Sequence, residues 1–150
     1  MLILLPNEEY IREIHQFIIE EFDDEAGDLH PKIIGLALER AKHYINYEEC
    51  NLHKVFAVVL DTLANKHPFI DGNKRTALVT VISAYKLNGI DLSYEHLIQE
   101  DFVDLMLWAV NRDIKKSVDD IADKLTILTN KYATKGAKSH FPKPNINSSL

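Results

Sequence analysis

The chain has 150 residues, 46% of them hydrophobic, which is enough for one globular domain with a substantial core. It carries 17 basic and 23 acidic residues, a net charge of −6, and a single cysteine, which excludes an intrachain disulfide. Four of the lysines and no acid lie in residues 131–150, which leaves 13 basic residues against 23 acids in the first 130. A body this acidic argues against direct nucleic-acid binding, which needs clustered lysine and arginine. The sequence contains neither a signal peptide nor an apolar stretch of membrane-spanning length, and we expect a cytoplasmic protein.

Apolar residues recur at helical spacing along most of the chain, and they predict about six helices. The first follows Asn7, a favourable N-cap, and an acidic loop over 23–28 separates it from the second. The second helix is predicted to begin near Pro31, because proline favours the first helical position. An aperiodic stretch over 47–50 precedes the third helix, which must end before Pro68.

The fourth predicted helix, over 74–87, is apolar on nearly every side. Its β-branched residues leave a strand as an alternative, but its length and the Asn88-Gly89 stop that follows favour a buried central helix. A fifth helix is predicted over the apolar positions of 97–109.

The last predicted helix begins with Ser117 and Asp120, which resemble a capping box. No periodicity continues beyond residue 132. We therefore expect an all-α domain over residues 1–132 and a basic, flexible tail over residues 133–150.

One segment, His-Pro-Phe-Ile-Asp-Gly-Asn-Lys-Arg at 67–75, joins the third and fourth helices and carries residue types suited to nucleotide chemistry. Gly72 permits close approach of a ligand to the backbone, and the helix that follows offers free N–H groups to an anion. Lys74 and Arg75 are cations at the end of a helix where the macrodipole disfavours them, which suggests that an anion compensates them.

The same segment contains candidates for proton transfer and metal binding. Asp71 offers the hard oxygen ligand that Mg²⁺ prefers, and His67 is a residue type suited to general base catalysis. These residue types also fit a structural turn, and alone they leave the reaction undetermined.

The segment resembles the signature of the Fic/Doc family, His-x-Phe-x-(Asp/Glu)-(Gly/Ala)-Asn-x-Arg. The matching positions are His67, Phe69, Asp71, Gly72, Asn73 and Arg75. The resemblance extends to the helical order over roughly residues 7–130. It implies a Fic-type bundle of about six helices, with a buried central helix and a short flap before the motif-bearing helix pair.

The resemblance implies a role for each motif residue. His67 would deprotonate a target hydroxyl, Phe69 would anchor the loop in the core, and Asp71 would hold Mg²⁺ against the nucleotide phosphates. Gly72, Asn73 and Lys74 would offer amides or side chains to those phosphates, and Arg75 would pair with one of them. The flap that would align a target segment corresponds to Tyr47, Glu48, Glu49, Cys50 and Asn51.

Two departures from the broad pattern indicate a branch of the family. AMP-transferring members typically have a small residue after the asparagine and a second arginine three residues after the first, where this chain has Lys74 and Leu78. The run over 73–78 is similar to the Doc branch of toxin–antitoxin pairs, while Pro68 and Gly72 stay closer to the Fic form.

The resemblance to the Doc branch implies a toxin that transfers a phosphoryl group from ATP to a protein hydroxyl with Mg²⁺. The known target of that branch is elongation factor Tu, and a small antitoxin would be a second partner. A protein AMP-transferase and a nucleotide-binding module without turnover are the alternatives.

Overall fold

The computed structural model describes residues 2–47, 51–92 and 100–133. Its helices are α1 (Glu8–Phe22), α2 (Lys32–Tyr47), α3 (Leu52–Asn65), α4 (Asn73–Leu87), α5 (Glu100–Val110) and α6 (Val118–Tyr132). Within the described ranges there is no β-strand, and the one extended pairing is an antiparallel bridge between Asp28 and Phe69. The predicted all-α bundle of six helices is confirmed.

Side-chain caps fix the starts of several helices. The Asn7 carboxamide oxygen accepts a hydrogen bond from the Tyr10 amide at 2.8 Å, as expected for an N-cap. Ser117 and Asp120 form a reciprocal capping box at the start of α6, which confirms the sequence prediction.

Several predicted boundaries need correction. Tyr47 is the last residue of α2, and Asn51 is the N-cap of α3, accepting a hydrogen bond from the Lys54 amide at 3.0 Å. Both ends of the predicted flap therefore belong to helix termini, because α2 continues past the break in its apolar pattern. Helix α2 begins at Lys32, just after Pro31, and α4 begins at Asn73, one residue earlier than predicted. Outside the described residues lie Glu48, Glu49, Cys50, Leu97, Ile98 and 134–150.

Helix α3 connects the bundle, because it packs against α2, α4, α5 and α6. Helix α4 packs against α1 and α3, and nearly all of its side chains are buried. This burial explains why its sequence is apolar on every side rather than on one stripe. The loop between α3 and α4 consequently joins the two most deeply packed helices of the described chain, which gives it a rigid base.

No helix in the described ranges is both long enough and apolar enough to cross a membrane.

Candidate active site

The segment between α3 and α4 begins with a strained turn at His67. This histidine has φ 50°, in the left-handed region that side-chain-bearing residues rarely occupy. Such a conformation costs on the order of 1–2 kcal/mol and persists where surrounding contacts enforce it. The turn leaves the imidazole exposed, next to the start of α4.

Phe69 and Asn73 hold the middle of this loop. The Phe69 side chain is 1% exposed and lies in the main core. The Asn73 carboxamide accepts a hydrogen bond from the Phe69 amide at 3.0 Å and donates one to the Phe69 carbonyl at 2.8 Å. Its nitrogen also lies 3.5 Å from His67 Nδ1, at the long limit for a hydrogen bond, so this contact orients the ring only weakly. Both polar atoms of the Asn73 side chain are thus engaged within the loop.

His15, on α1, supports the loop from below. Its ring stacks on Phe69 with centroids 3.5 Å apart and an interplanar angle of 5°. Its Nε2 lies 2.9 Å from the carbonyl oxygen of Asp71, so this nitrogen carries the proton and donates it. Burial lowers the pKa of His15, although the bond to Asp71 opposes the change, and the neutral ring that this favours suits the packed position.

The acidic loop between α1 and α2 is also part of the site. The Ile70 amide donates to the Gly27 carbonyl at 3.0 Å, and the Leu29 and His30 amides both donate to the Pro68 carbonyl. The Glu25 amide donates to Asp71 Oδ2 at 3.2 Å. The sequence identified this segment only as a loop, whereas main-chain pairing makes it a brace for the motif.

Gly72 adopts φ 77° at the N-terminal end of α4, where no side chain caps the helix. A Cβ atom at this position would lie 3.3 Å from Ile18 Cγ2 and 3.4 Å from Ile19 Cδ1. Both the backbone conformation and the close approach of α1 therefore favour glycine here. Because no side chain caps α4, the N–H groups of its first turn remain available to an anion.

The loop and the start of α4 form one side of a cleft of about 510 Å³. This cleft is lined by His67, Ile70, Asp71, Gly72, Asn73, Lys74 and Arg75, and by Ala64, Asn65, Val110 and Arg112 from the ends of α3 and α5. The structure therefore brings together the predicted base, metal ligand and phosphate-binding residues, while Phe69 lies beneath them. The volume is in the range of small-molecule sites.

Arg75 has an internal partner that the sequence did not reveal. Its Nη1 lies 3.2 Å from Asp24 Oδ2, and its guanidinium lies 3.8 Å from the centre of the Phe22 ring. The Nε atom is buried and has no hydrogen-bond partner in the described chain. An outside anion is therefore not needed to compensate Arg75, contrary to the sequence prediction, because Asp24 of the acidic loop already does so.

The sequence from residue 5 to residue 84, which includes α1 to α3, the whole motif and α4 as far as Ala84, matches the model of the Fic/DOC family. This span is 80 of the 150 residues. The chain belongs to the Fic/DOC family. Fic/DOC proteins are typically transferases that act on protein hydroxyl groups, and they generally use ATP and Mg²⁺. No curated protein matches the chain in sequence.

The sequence did not predict that several other residues lie at or beside this candidate site. Asp24 and His15 lie far from the motif in sequence, and Arg112 lies outside the span that matches the family. The sequence does indicate that His15 is buried, since this polar residue occurs at helical spacing between the apolar positions Ile11 and Ile18 of α1. Asp24 and Arg112 left no signal that distinguishes them from ordinary surface charges.

Proposed function

We propose that the chain is a Doc-like toxin that transfers the γ-phosphoryl group of ATP to a hydroxyl of a target protein. The observation that carries this choice of reaction is the start of α4, where Lys74 lines the cleft and Leu78 lies fully buried in the core. A bulky cation thus occupies the space that a glycine would leave to phosphate, and no arginine extends from position 78 to hold a distant phosphate. Both features favour a nucleotide bound with its γ-phosphate at the acceptor hydroxyl.

His67 supplies the base in this proposal. Its exposed imidazole takes the proton of the target hydroxyl, and the hydroxyl oxygen forms a bond to the γ-phosphorus. The bond from that phosphorus to the bridging oxygen breaks, and its electron pair leaves on ADP. The strained backbone at His67 fits this role, since such strain collects at functional sites.

Asp71 is the residue that would hold Mg²⁺. Its carboxylate is exposed to the cleft, and the Glu25 and Gly72 amides that donate to its two oxygens keep it in place. The described residues contain no group of three acids, cysteines or histidines that could bind a metal ion together, so they do not form a site in which protein side chains supply all the ligands. One carboxylate completed by substrate phosphates fits how Mg²⁺ usually binds, and the bound ion would neutralise phosphate charge.

The remaining motif residues would hold the phosphates. Gly72 keeps the backbone clear of side-chain atoms, and the uncapped first turn of α4 offers its amides. The ion pair with Asp24 fixes the Arg75 guanidinium at the cleft wall. Because this ion pair uses Nη1, the guanidinium keeps donors for a phosphate oxygen.

A Fic-type AMP-transferase is the second candidate. The observation in its favour concerns Gly72, the residue at which the motif stays closer to the Fic form. Gly72 is the N-cap of α4 in a left-handed conformation, and α1 packs closely against it. The same base and cradle would then act on the α-phosphorus, with pyrophosphate leaving. A nucleotide-binding module without turnover is the third candidate, and the exposed His67 beside Asp71 weighs against it.

The partners follow from the proposed branch. The target would be a protein such as elongation factor Tu, aligned by the stretch between the end of α2 at Tyr47 and the N-cap of α3 at Asn51. A small antitoxin would block the toxin in the cytoplasm. The autoinhibitory sequence (Ser/Thr)-x-x-x-Glu-(Gly/Asn) does not occur in the chain, which fits inhibition by a separate protein.

The test is incubation of the purified protein with Mg²⁺ and bacterial lysate, using ATP labelled at either the α or the γ position. The proposal expects one protein band labelled from γ-ATP alone, and no label with His67→Ala. Label from α-ATP would instead identify the AMP-transferase. Label from neither nucleotide, with purified elongation factor Tu added, would refute the transfer.

A further inference from the structure

A third cation lines the cleft beside Lys74 and Arg75, and it comes from outside the motif. Arg112 lies two residues after the end of α5 and lines the cleft with Ala64, Asn65 and Val110. It lies beyond the span that matches the Fic/DOC family, so the family signature assigns it no role.

The turn that carries Arg112 is held firmly to the end of α3. The Asn65 carboxamide donates to the Ala109 carbonyl at 3.1 Å and to Asp61 Oδ1 at 2.8 Å, which joins the last turns of α3 and α5. After Arg112, the Asp113 amide donates to Asn111 Oδ1 at 3.0 Å. The Lys116 ammonium donates to the Asn111 carbonyl at 2.7 Å and to the Ile114 carbonyl at 3.0 Å. A fixed turn reduces the entropy that the side chain loses when it binds a ligand.

Arg112 changes the electrostatic character of this wall. Helices α3 and α5 both end here, and their C-terminal carbonyls carry partial negative charge that repels an anion. Lys74 and Arg112 form no ion pair with another residue of the described chain, whereas Arg75 is paired with Asp24. Two cations that have no ion pair among the described residues therefore line one cleft. This favours binding of a polyanion there, although the net charge of the whole chain is −6.

We propose that Arg112 binds a phosphate of the donor nucleotide at the wall formed by the ends of α3 and α5. This proposal rests on the proposed function, because it assumes that the cleft holds a nucleotide. The motif loop would hold one part of the phosphate chain, and the guanidinium of Arg112 would hold another through paired N–H donors. Arg112 is then a binding residue that determines preference for the more highly phosphorylated nucleotide.

The experiment measures the affinity of the full-length protein for ATP, ADP, AMP and adenosine with Mg²⁺ by titration calorimetry. Arg112→Gln is expected to weaken ATP binding by roughly tenfold or more, the loss of one charge-assisted hydrogen bond, and to leave adenosine binding unchanged. Arg112→Lys keeps the positive charge but cannot donate two parallel hydrogen bonds, so its affinity for ATP should lie between those of the wild type and Arg112→Gln. Lys115→Gln is the matched control, since it removes the same charge from the same turn at a position that does not line the cleft.

The outcomes separate this inference from the proposed function. If wild type and Lys115→Gln bind ATP, and Arg112→Gln binds it equally well, the inference is wrong and the proposed function stands. An equal loss for ATP and adenosine would also overturn it, because Arg112 would then contact the base or ribose. If Arg112 only neutralised the partial negative charge at the ends of α3 and α5, Arg112→Gln would lower Tm without changing ATP affinity. That result would also overturn the inference. If the wild type binds no nucleotide, the proposed function fails and the inference fails with it.

Discussion

Replacing Asn73 with alanine removes the side chain that bonds to both peptide groups of Phe69. Asn73 is 8% exposed, and its two hydrogen bonds to Phe69, of 3.0 and 2.8 Å, lie within the motif loop. In Asn73→Ala the Phe69 N–H and C=O lose these partners in a buried position. The change therefore tests whether the loop is braced from within.

The expected cost follows from the two orphaned groups. A buried donor or acceptor left without a partner costs about 1–3 kcal/mol, so the pair should lower the free energy of unfolding by about 2–4 kcal/mol after some relaxation. For a domain of this size, each kcal/mol corresponds to roughly 2–4 °C in Tm, and the decrease should be roughly 4–16 °C. Transfer activity should also fall, because the loop that carries His67 loses both hydrogen bonds that brace it from within.

Urea denaturation monitored by circular dichroism measures the change in stability, with labelled ATP as the activity assay. The control is Asn46→Ala, which removes an exposed asparagine from α2 and should change stability by less than about 0.5 kcal/mol. If Asn73→Ala is as stable as the wild type, or if Asn46→Ala loses as much, the two hydrogen bonds do not hold the loop.

Lys74→Gly is expected to lower transfer from γ-labelled ATP and to raise transfer from α-labelled ATP, because it opens the cleft and removes a cation. Gly72→Ala should lower the free energy of unfolding by about 1–2 kcal/mol in urea, since alanine is strained at φ 77° and would press on Ile18. His15→Phe keeps an aromatic ring but removes the hydrogen bond to the Asp71 carbonyl, so transfer should fall. Burial lowers the pKa of His15 in the folded state, so the unfolded chain takes up a proton first as the pH falls below the unfolded value of 6.5, and wild-type stability decreases there. His15→Phe should lose part of this pH dependence in urea titrations.

Matched variants make these three outcomes specific. Gly35→Ala, in α2, has open space around its Cβ position and should raise stability, because alanine is the better helix former. A fall in both glycine variants would contradict the reasoning about Gly72. His53→Phe is the control for His15→Phe, because burial also lowers the pKa of His53. The Nδ1 atom of His53 lies 2.8 Å from the Tyr85 hydroxyl and does not contact the motif loop, so the transfer activity of this variant should be close to that of the wild type. If Lys74→Gly changes neither label, Lys74 does not set the orientation of the nucleotide.

The fold followed from the sequence because its signals are local. Capping by Asn7, Ser117 and Asp120 depends on residues three positions apart, and the apolar stripes repeat every turn. The flap boundary was wrong because α2 continues to Tyr47 after its apolar pattern has ended.

The site was predictable only where one short segment contains it. The motif placed His67 and Asp71 at one helix junction, and the structure brings both to one cleft. The contact between Asp24 and Arg75 spans 51 residues, and it depends on how α1 packs against α4. Arg112 reaches the cleft because α3 and α5 end together, which no local pattern encodes.

The most direct test of the account separates binding from chemistry at His67. His67→Asn is the sharpest variant, because asparagine tolerates the left-handed backbone at φ 50° but cannot act as a base. ATP affinity and transfer to elongation factor Tu should be measured on the same preparation. The account predicts unchanged ATP affinity and a rate of γ-phosphoryl transfer reduced by roughly 10² to 10⁴-fold. Transfer at the wild-type rate would contradict the assignment of His67 as the base, and with it the proposed mechanism.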